Sequence, residues 1–267
     1  MIRPIKGITR LIKGPAQERN KLLRTKAQLA LQRIFSFKPY FLNLSWSYLP
    51  DSYVTRKAYG EFPKLFRGFT NHNKTNNGGD ISRLWGFILN IEQIIDENIE
   101  GDFAELGVWR GNTASVLASY AAKNNRHVYL FDTYEGFNEK DIKGVDATKN
   151  ATDFDDTSVS LVKDVIGVDA ECCHFVKGYF PESLNEYHKL IKYAIVSLDC
   201  DLYEPTKAGL SFFYPLMPKG GIFLLHDYSS RCWAGVKKAI DEFCKESGEF
   251  VILMPDKSGS AFLRKSK

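Results

Sequence analysis

The sequence has no long apolar run and little cysteine, and these shortages exclude several classes of protein. No stretch approaches the ~18 consecutive apolar residues that a membrane-spanning helix needs. Residues 1–37 carry charge without an apolar core, so we do not expect a secretory signal peptide. The chain is therefore not predicted to be an integral membrane protein or a secreted one.

Five cysteines in 267 residues are too few and too irregularly spaced for a disulfide framework or a zinc site. They are Cys172, Cys173, Cys200, Cys232 and Cys244. Free thiols suit a reducing compartment, so the sequence predicts a cytoplasmic protein. The hydrophobic fraction of 44% and the charged fraction of 25% are typical of a globular chain and exclude a disordered or fibrous one.

Positive charge is concentrated near the N-terminus. Residues 1–40 contain ten Lys and Arg but a single acid, Glu18, a formal charge of +9 in a chain of net +4. The rest of the chain is mildly acidic, and we expect no nucleic-acid partner. A basic segment of this kind is usually a solvated helix or arm, but it also suits contact with an anionic membrane surface. Both interpretations stay open, and with the second a peripheral position on the inner membrane face.

Composition divides the chain near residue 75. Residues 39–79 are rich in aromatic side chains and asparagine, and the stretch 71–79 is typical of a loop, either a boundary or a mobile flap. Asp80 can cap a helix that extends to about residue 98. We therefore predict an N-terminal extension and flap over residues 1–75 and a second domain over residues 76–267.

Predicted strands and helices alternate from residue 103 onwards, which indicates βαβ units and a mostly parallel sheet. The predicted strands are 103–108, 127–131, 173–176, 193–198, 221–225, 250–254 and 260–263. The predicted helices are 112–122, 157–166, 181–190, 205–216 and 233–247. The fourth and fifth strands are apolar throughout, as in strands covered on both faces. The last two have no helix between them and predict an antiparallel hairpin at the sheet edge.

Glycines, acids and a histidine follow the predicted strands at their carboxyl ends, where ligands bind in doubly wound sheets. They are Gly107, Gly111, Asp132, Asp199, Asp201, His226 and Asp227. The glycines permit a tight turn and the close approach of a ligand. Acidic side chains do not belong in a core unless they are paired. The sequence therefore predicts one functional site at this edge of the sheet.

Each polar residue also has a purely structural interpretation. Asp132 can cap a helix, Asp199 and Asp201 can form a turn, and His226 can be a core or capping histidine. However, the acids at 199, 201 and 227 fall at adjacent strand ends if those strands are neighbours, and crowded like charges repel. A divalent cation, or a catalytic role for one of the acids, would explain their presence, and we favour that interpretation.

Five ordered segments carry a resemblance to a known family. They are residues 102–111 (DFAELGVWRG), 131–136 (FDTYEG), 176–180 (VKGYF), 198–206 (LDCDLYEPT) and 226–228 (HDY). Together they resemble the macrocin O-methyltransferase family, S-adenosylmethionine-dependent sugar O-methyltransferases of antibiotic biosynthesis with relatives near polysaccharide genes. The resemblance covers residues 76–267. It implies a Rossmann-like class I methyltransferase fold, an α/β sheet of seven strands with the last strand antiparallel.

The resemblance also implies roles for the strand-end residues. The cofactor S-adenosylmethionine would contact Glu105, Gly107, Gly111, Thr113, Asp132, Gly178 and Tyr179, with its ribose on the aspartate and its adenine near the last two. Residues 133–156 would be part of a lid. Asp199 and Asp227 would bind a magnesium ion, and Asp201 would be the general base.

The sequence departs from the family at His226, where the characterised antibiotic enzymes have an acid. Magnesium favours oxygen ligands, whereas imidazole suits transition metals better. Three hypotheses stay open. His226 joins Asp199 and Asp227 as a ligand of a Mn²⁺-like ion, Mg²⁺ keeps fewer protein ligands, or His226 is the base of a metal-free site.

We therefore expect an O-methyltransferase that acts on a hydroxyl of a saccharide or a glycosylated small molecule, with S-adenosylmethionine as donor and Mg²⁺ or Mn²⁺ as assisting ion. The relatives are commonly multimeric, so we also expect a homo-oligomer. The alternatives are a catechol-like small-molecule acceptor and a non-catalytic S-adenosylmethionine-binding partner protein. The spacing of Gly107 and Gly111 disfavours a nicotinamide oxidoreductase, because it lacks the Gly-x-Gly-x-x-Gly pattern.

Overall fold

One seven-stranded sheet organises residues 58–267, the part of the chain that the computed structural model describes. Its strands are β1 (Asp102–Leu106), β2 (Val128–Asp132), β3 (Cys173–Lys177), β4 (Tyr193–Leu198), β5 (Ile222–Leu225), β6 (Ile252–Leu253) and β7 (Ala261–Arg264). They lie in the order β3-β2-β1-β4-β5-β7-β6, and of these described strands β7 alone runs against the others. The predicted α/β class, with its mostly parallel sheet and antiparallel edge hairpin, is confirmed.

Helices cover both faces of this sheet. In the described residues the α-helices are α1 (Ala58–Thr70), α2 (Lys74–Asn77), α3 (Ile81–Asp96), α4 (Asn112–Lys123), α5 (Val159–Ile166), α6 (Tyr203–Leu216) and α7 (Ala234–Ser247). The first core joins the sheet to α1, α3, α4 and α5, and the second joins it to α6 and α7. Side chains alternate between the two cores along a strand, so that Phe103 packs in one and Ala104 in the other. No helix of the described part has the length and apolar character needed to cross a membrane.

The helix that Asp80 was predicted to cap is α3. The Asp80 carboxylate accepts a hydrogen bond from the backbone N–H of Arg83 at 3.1 Å, which satisfies one of the free donors of the first turn. The helix ends at Asp96, two residues before the predicted end. The cap fixes where Arg83 stands in the first turn, and this position matters for the site described below.

Two local predictions are wrong. The stretch 71–79 is not a continuous loop, because α2 lies inside it and the Asn77 amide donates to the carbonyl of Phe69 at 2.8 Å. Residues 181–190 do not form an α-helix, and only Glu186–Leu190 is helical, as a 3₁₀ turn. Asn185 and His188 cap that turn reciprocally, so its end groups are satisfied locally without a longer helix. The basic segment 1–40 lies outside the described residues, as does the aromatic stretch up to residue 57.

Substitution of Gly107 tests how closely the chain after β1 packs against the chain after β4. Its φ is +84°, and an added Cβ would collide with the backbone carbonyl of Asp199 and lie 2.9 Å from Cα of Cys200. A left-handed non-glycine residue costs about 1–3 kcal/mol before any collision is counted, so Gly107→Ala should lower the free energy of unfolding by more than that. Urea unfolding followed by circular dichroism measures the loss.

Gly60→Ala is the matched control, because Gly60 lies in α1 and no atom of the described residues lies within 4 Å of an added Cβ. Alanine in a helix is favoured over glycine by roughly 0.5–1 kcal/mol, so this variant should gain stability. Equal effects of the two substitutions would contradict the close approach of the strand ends.

Candidate active site

The register of the parallel strands brings the strand-end loops together. Leu106, Leu198 and Leu225 end β1, β4 and β5 side by side in the ladder. The backbone N–H of Asp199 donates to the carbonyl of Leu106 at 2.9 Å, and the N–H of His226 donates to the carbonyl of Leu198 at 3.0 Å. Parallel pairing therefore places the residues that follow β4 and β5 at one edge of the sheet.

Four predicted residues form one cluster at this edge. Asp199, Asp201, His226 and Asp227 each offer a ligand atom, and these atoms lie within 4.8 Å of one another. Nδ1 of His226 lies 2.6 Å from Oδ1 of Asp199 and 2.7 Å from Oδ2 of Asp227, although neither oxygen lies along its N–H direction. The predicted convergence of these side chains at neighbouring strand ends is therefore observed.

Left-handed backbone recurs in the four loops that follow β1, β2, β4 and β5. The non-glycine residues concerned are Trp109, Tyr134, Asp201 and Asp227, with φ between 45° and 61°. Such conformations are uncommon for residues other than glycine, and they concentrate where function constrains a loop. No sequence signal indicated this conformation at Trp109 and Tyr134, whereas aspartate is enriched in it and Asp201 was a candidate turn residue.

Arg83 is a member of the cluster that the sequence analysis missed. One of its guanidinium nitrogens lies 2.6 Å from Oδ2 of Asp199, and the residue is only 6% exposed. The guanidinium also lies over the ring of Phe87, one turn further along α3, with 5.9 Å between its Cζ and the ring centroid. In the sequence it is one arginine in the first turn of an amphipathic helix, which is ordinarily a solvated position.

The two cations set the charge of Asp199. Burial alone would raise the pKa of this carboxyl, but the positive charges of His226 and Arg83 outweigh burial and hold the pKa well below its usual range. Burial and the charge of Arg83 oppose protonation of His226, yet the contacts with Asp199 and Asp227 dominate and raise its pKa to about 10. Asp199 is therefore a carboxylate and His226 an imidazolium at neutral pH.

Asp201 has the opposite tendency. Burial, and then the negative charges of Asp199 and Asp227, raise the pKa of Asp201 well above its usual range. The two acids of the Asp-x-Asp motif are thus driven apart in pKa by their surroundings. Paired acids that differ in this way are typical of acid–base sites, where one group stays ionised and the other exchanges a proton.

A cavity of about 330 Å³ lies over the cluster. This volume lies at the lower end of the ~300–1,000 Å³ range of small-molecule sites. The polar cluster lines one part of the cavity, and the loops after β1, β2 and β3 line another. Of the predicted cofactor residues, Gly107, Thr113, Asp132, Gly178 and Tyr179 line it.

Asp132 shapes the loop that follows β1. Its Oδ2 accepts backbone N–H groups from Val108 at 2.6 Å and Trp109 at 2.9 Å, and its Oδ1 accepts the N–H of Tyr134 at 2.6 Å. The carboxylate therefore holds two strand-end loops together while facing the cavity. It does not cap a helix, which was the structural alternative for this residue.

Glu105 and Gly111 do not line the cavity, unlike the other predicted cofactor residues. Glu105 is fully buried beneath it, where Oε1 accepts hydrogen bonds from the hydroxyls of Thr113 at 2.5 Å and Ser197 at 3.0 Å. Gly111 precedes α4 with φ +77°, and its role in the fold is conformational. A side chain on β1 that points into the first core cannot also reach the strand-end edge.

The predicted lid segment 133–156 forms one wall of the cavity. Phe137 and Phe154 from this segment contact each other at 5.5 Å, and both lie 5.9 Å from the ring of Trp233, which precedes α7. Asp146 is buried at the base of the segment and accepts the first backbone N–H of α6, from Tyr203, at 2.8 Å. Trp233 and Asp146 were not predicted, because neither lies in a segment that carried the resemblance.

The donor set of the cluster fits a divalent cation. Three carboxylates and one imidazole converge, and Nε2 of His226 is buried without a hydrogen-bond partner among the described residues. Carboxylate oxygens suit both Mg²⁺ and Mn²⁺, and the imidazole favours the second.

Comparison with known proteins agrees with the fold. The family model described as macrocin-O-methyltransferase (TylF) matches residues 79–255. The chain is similar to mycinamicin III 3''-O-methyltransferase from Micromonospora griseorubida, with 25% identity over an alignment of 174 residues that covers 59% of this chain and 66% of that protein. It is similar to an 8-demethyl-8-(2,3-dimethoxy-alpha-L-rhamnosyl)-tetracenomycin-C 4'-O-methyltransferase from Streptomyces olivaceus, with 25% identity over an alignment of 160 residues that covers 56% of this chain and 61% of that protein. The matched part spans less than two thirds of the length of either relative.

The structure of the O-methyltransferase NovP superposes with a TM-score of 0.61 at 22% identity, covering 73% of this chain and 84% of that chain. A likeness at this identity establishes a shared fold. The class I Rossmann-like architecture predicted from the five segments is thereby confirmed.

Glu105 generates a test of pH dependence. Burial, more than any other influence, raises the pKa of this carboxyl to about 8 from an ordinary value of 4.5. Between these two pH values the unfolded chain has lost the proton that the folded chain keeps, so folded stability falls as pH rises through this window. In Glu105→Gln the decrease in the free energy of unfolding between pH 5 and pH 8.5 should be smaller by on the order of 4 kcal/mol. Urea unfolding at several pH values across this range measures it.

Glu171→Gln is the control, because Glu171 is an exposed glutamate. Its stability profile should run parallel to that of the wild type. The assignment of a protonated Glu105 fails if the Glu105→Gln profile is parallel as well.

Proposed function

The chain belongs to the macrocin O-methyltransferase family, and from this premise we propose that it transfers a methyl group from S-adenosylmethionine to a hydroxyl of a sugar or a glycosylated small molecule. The observation that carries the proposal is a single cavity bounded at one side by the acidic cluster and at the other by Asp132, Gly178 and Tyr179. A donor and an acceptor can meet there with the reacting oxygen beside carboxylates.

The donor would occupy the side of the cavity formed by the loops after β1, β2 and β3. Gly107 lets the backbone approach a ligand closely, and the oxygens of Asp132 can accept hydrogen bonds from a ribose diol as they now accept them from the loop. The hydroxyl of Tyr179 donates to Asp141 in the predicted lid at 2.7 Å, which closes this side of the cavity. These contacts support the cofactor roles proposed for these residues.

The acceptor would lie against the acidic cluster. In the transfer the methyl group moves from the sulfonium sulfur to the acceptor oxygen, and the hydroxyl proton must leave to a base. Asp201 is our proposed base, since it lines the cavity and would be a carboxylate once a bound cation offset the charges of Asp199 and Asp227 that raise its pKa. His226 suits this role less well while it is held as an imidazolium between Asp199 and Asp227.

A divalent ion held by Asp199, Asp227 and the His226 imidazole, which must lose its proton to serve as a ligand, would polarise the acceptor hydroxyl as a Lewis acid when bound. The protein supplies the rest by alignment, because the methyl group of a sulfonium is already activated. Alignment of two bound reactants contributes up to ~7–11 kcal/mol in favourable cases. The aromatic wall of Phe137, Phe154 and Trp233 would exclude water from the reacting groups.

The named relatives support a glycosylated acceptor. One of them carries a rhamnosyl group in the name of its substrate, and both are O-methyltransferases. We propose a similar acceptor class for this chain, from natural-product or polysaccharide biosynthesis. Residues 1–75 would then be an extension of the catalytic domain that contributes α1 to its first core, and the family match begins at residue 79.

Asp201→Asn tests the base. With rhamnosyl compounds and nucleotide sugars as acceptors and labelled S-adenosylmethionine as donor, turnover should fall by ~10²–10⁴-fold because the proton acceptor is lost. Donor affinity, measured by calorimetry, should stay close to that of the wild type. Asp164→Asn, on the exposed face of α5, is the matched control and should leave both quantities unchanged. Retained turnover in the Asp201 variant overturns the assignment.

Removal of divalent ions tests the metal. Dialysis against a chelator should abolish turnover, and Mn²⁺ or Mg²⁺ should restore it. Full turnover in chelator would move the base role to His226 in a metal-free site. Product from catechols and none from saccharides would replace the acceptor class, and donor binding without any product would favour a non-catalytic role.

Asp132→Asn tests the donor side. An amide places N–H groups where the loop now donates its own N–H groups, so the turn after β1 should lose its shape and donor affinity should fall by at least about tenfold. Ion binding at the acidic cluster should be unaffected, as measured by calorimetry with Mn²⁺. Unchanged donor affinity would remove Asp132 from the proposed cofactor site.

A further inference from the structure

Arg83 is the permanent positive charge of the acidic cluster. Its guanidinium is buried, contacts Oδ2 of Asp199 at 2.6 Å, and reaches the site from α3 rather than from a strand-end loop. An arginine stays protonated in proteins, so this charge is present whether or not a metal ion is bound. Lys257 also lines the cavity, but its ammonium group donates to the carbonyls of Thr75 and Asn76 instead.

The two oxygens of Asp199 are thereby given different partners. Oδ2 faces Arg83 and Oδ1 faces His226 at 2.6 Å. The guanidinium cannot withdraw easily, because its stem lies in the first turn of α3 beneath the cavity and its head lies over the ring of Phe87. Oδ1 is then the oxygen of Asp199 that shares the space between His226 and Asp227.

We propose that Arg83 is a positioning residue that acts as the resident counter-cation of Asp199. It keeps the three carboxyl groups assembled when no divalent ion is present, and it holds Oδ2 so that only Oδ1 faces the ion. This inference rests on the metal site of the proposed function and deepens it. Arg83 keeps the site formed before the ion binds, and its guanidinium competes with the ion for the negative charge of Asp199.

A measurable consequence follows from that competition. Removing the charge of Arg83 leaves Oδ2 of Asp199 buried without its cation in the metal-free protein and leaves His226 as the cation in contact with Asp199, and breaking a buried pair from one side is strongly destabilising. A bound divalent ion then takes over as counter-cation, so the variant should depend on the ion for stability. It should also bind the ion more tightly, because the guanidinium no longer repels a second cation.

The experiment compares Arg83→Met, which removes the charge but keeps an unbranched side chain, with Arg83→Lys, which keeps the charge. Arg126→Met is the control for a merely structural arginine, since Arg126 donates to the carbonyls of Ile99 and Gly101 at 2.6 Å away from the cluster. Melting temperatures are measured in chelator and in saturating Mn²⁺, and Mn²⁺ affinity is measured by calorimetry.

We expect Arg83→Met to melt roughly 10 °C below the wild type in chelator, and to recover most of that loss in Mn²⁺. Its Mn²⁺ affinity should rise by roughly tenfold. Arg83→Lys should resemble the wild type in both measurements. Arg126→Met should lose the same amount of stability with and without the ion, and its Mn²⁺ affinity should be unchanged.

The proposal is overturned if Arg83→Met behaves like Arg126→Met, losing stability equally in both conditions with unchanged Mn²⁺ affinity. A double-mutant cycle in chelator with Asp199→Asn separates this failure from a failure of the metal site. If no variant binds Mn²⁺ but Asp199→Asn cancels the loss caused by Arg83→Met, the metal assistance is wrong and Arg83 is still the counter-cation. If the two losses simply add, Arg83 does not act through Asp199.

Discussion

Mutual repulsion among Asp199, Asp201 and Asp227 is the constraint on which the rest of the site depends. Strand register forces these acids together, because β4 and β5 end side by side and the chain leaves each strand at the same edge. Two cations offset the repulsion, His226 from the same edge and Arg83 from α3. The pKa values of the two acids of the Asp-x-Asp motif then separate, since that of Asp199 is lowered and that of Asp201 is raised. The two cations are therefore the condition for burying the acids together in the metal-free protein.

The fold was predictable from sequence because its strands are short, apolar and covered on both faces. Residues 193–198 and 222–225 carry no polar alternation that could be mistaken for a surface strand, and they became β4 and β5. The failures have local causes. The Asn185–His188 capping box begins a short 3₁₀ turn at Glu186, where the sequence predicted a helix over residues 181–190. The Asn-rich stretch contains α2 because Asn77 bonds to Phe69 in the preceding helix, a contact that composition does not reveal.

Some residues of the candidate site were predictable from the sequence and others were not, again for local physical reasons. The positions of four site residues were predictable because a polar residue that follows a buried parallel strand lies at the carboxyl edge of the sheet. These residues are Asp199, Asp201, His226 and Asp227. Arg83 and Asp146 were not, since each reaches its partner across a long sequence separation from a helix or a loop. Glu105 lies outside the lining of the cavity for a third reason. Proximity to Gly107 in sequence suggested the cavity, but alternation along β1 turns its side chain into the core beneath it.

Glu105 and Asp201 show why a raised pKa does not by itself identify a catalytic acid or base. Burial is the leading cause of the shift for both carboxyl groups. Glu105 has no exposed surface and shares one oxygen between Thr113 and Ser197, so no substrate proton can reach it. Asp201 lines the cavity on left-handed backbone, and its pKa is raised by neighbours that a divalent ion or an acceptor would alter. Asp201 differs from Glu105 because it has access to the cavity and because its pKa depends on what the cavity holds. Glu105 is a buried acid whose raised pKa only lowers the stability of the fold as pH rises.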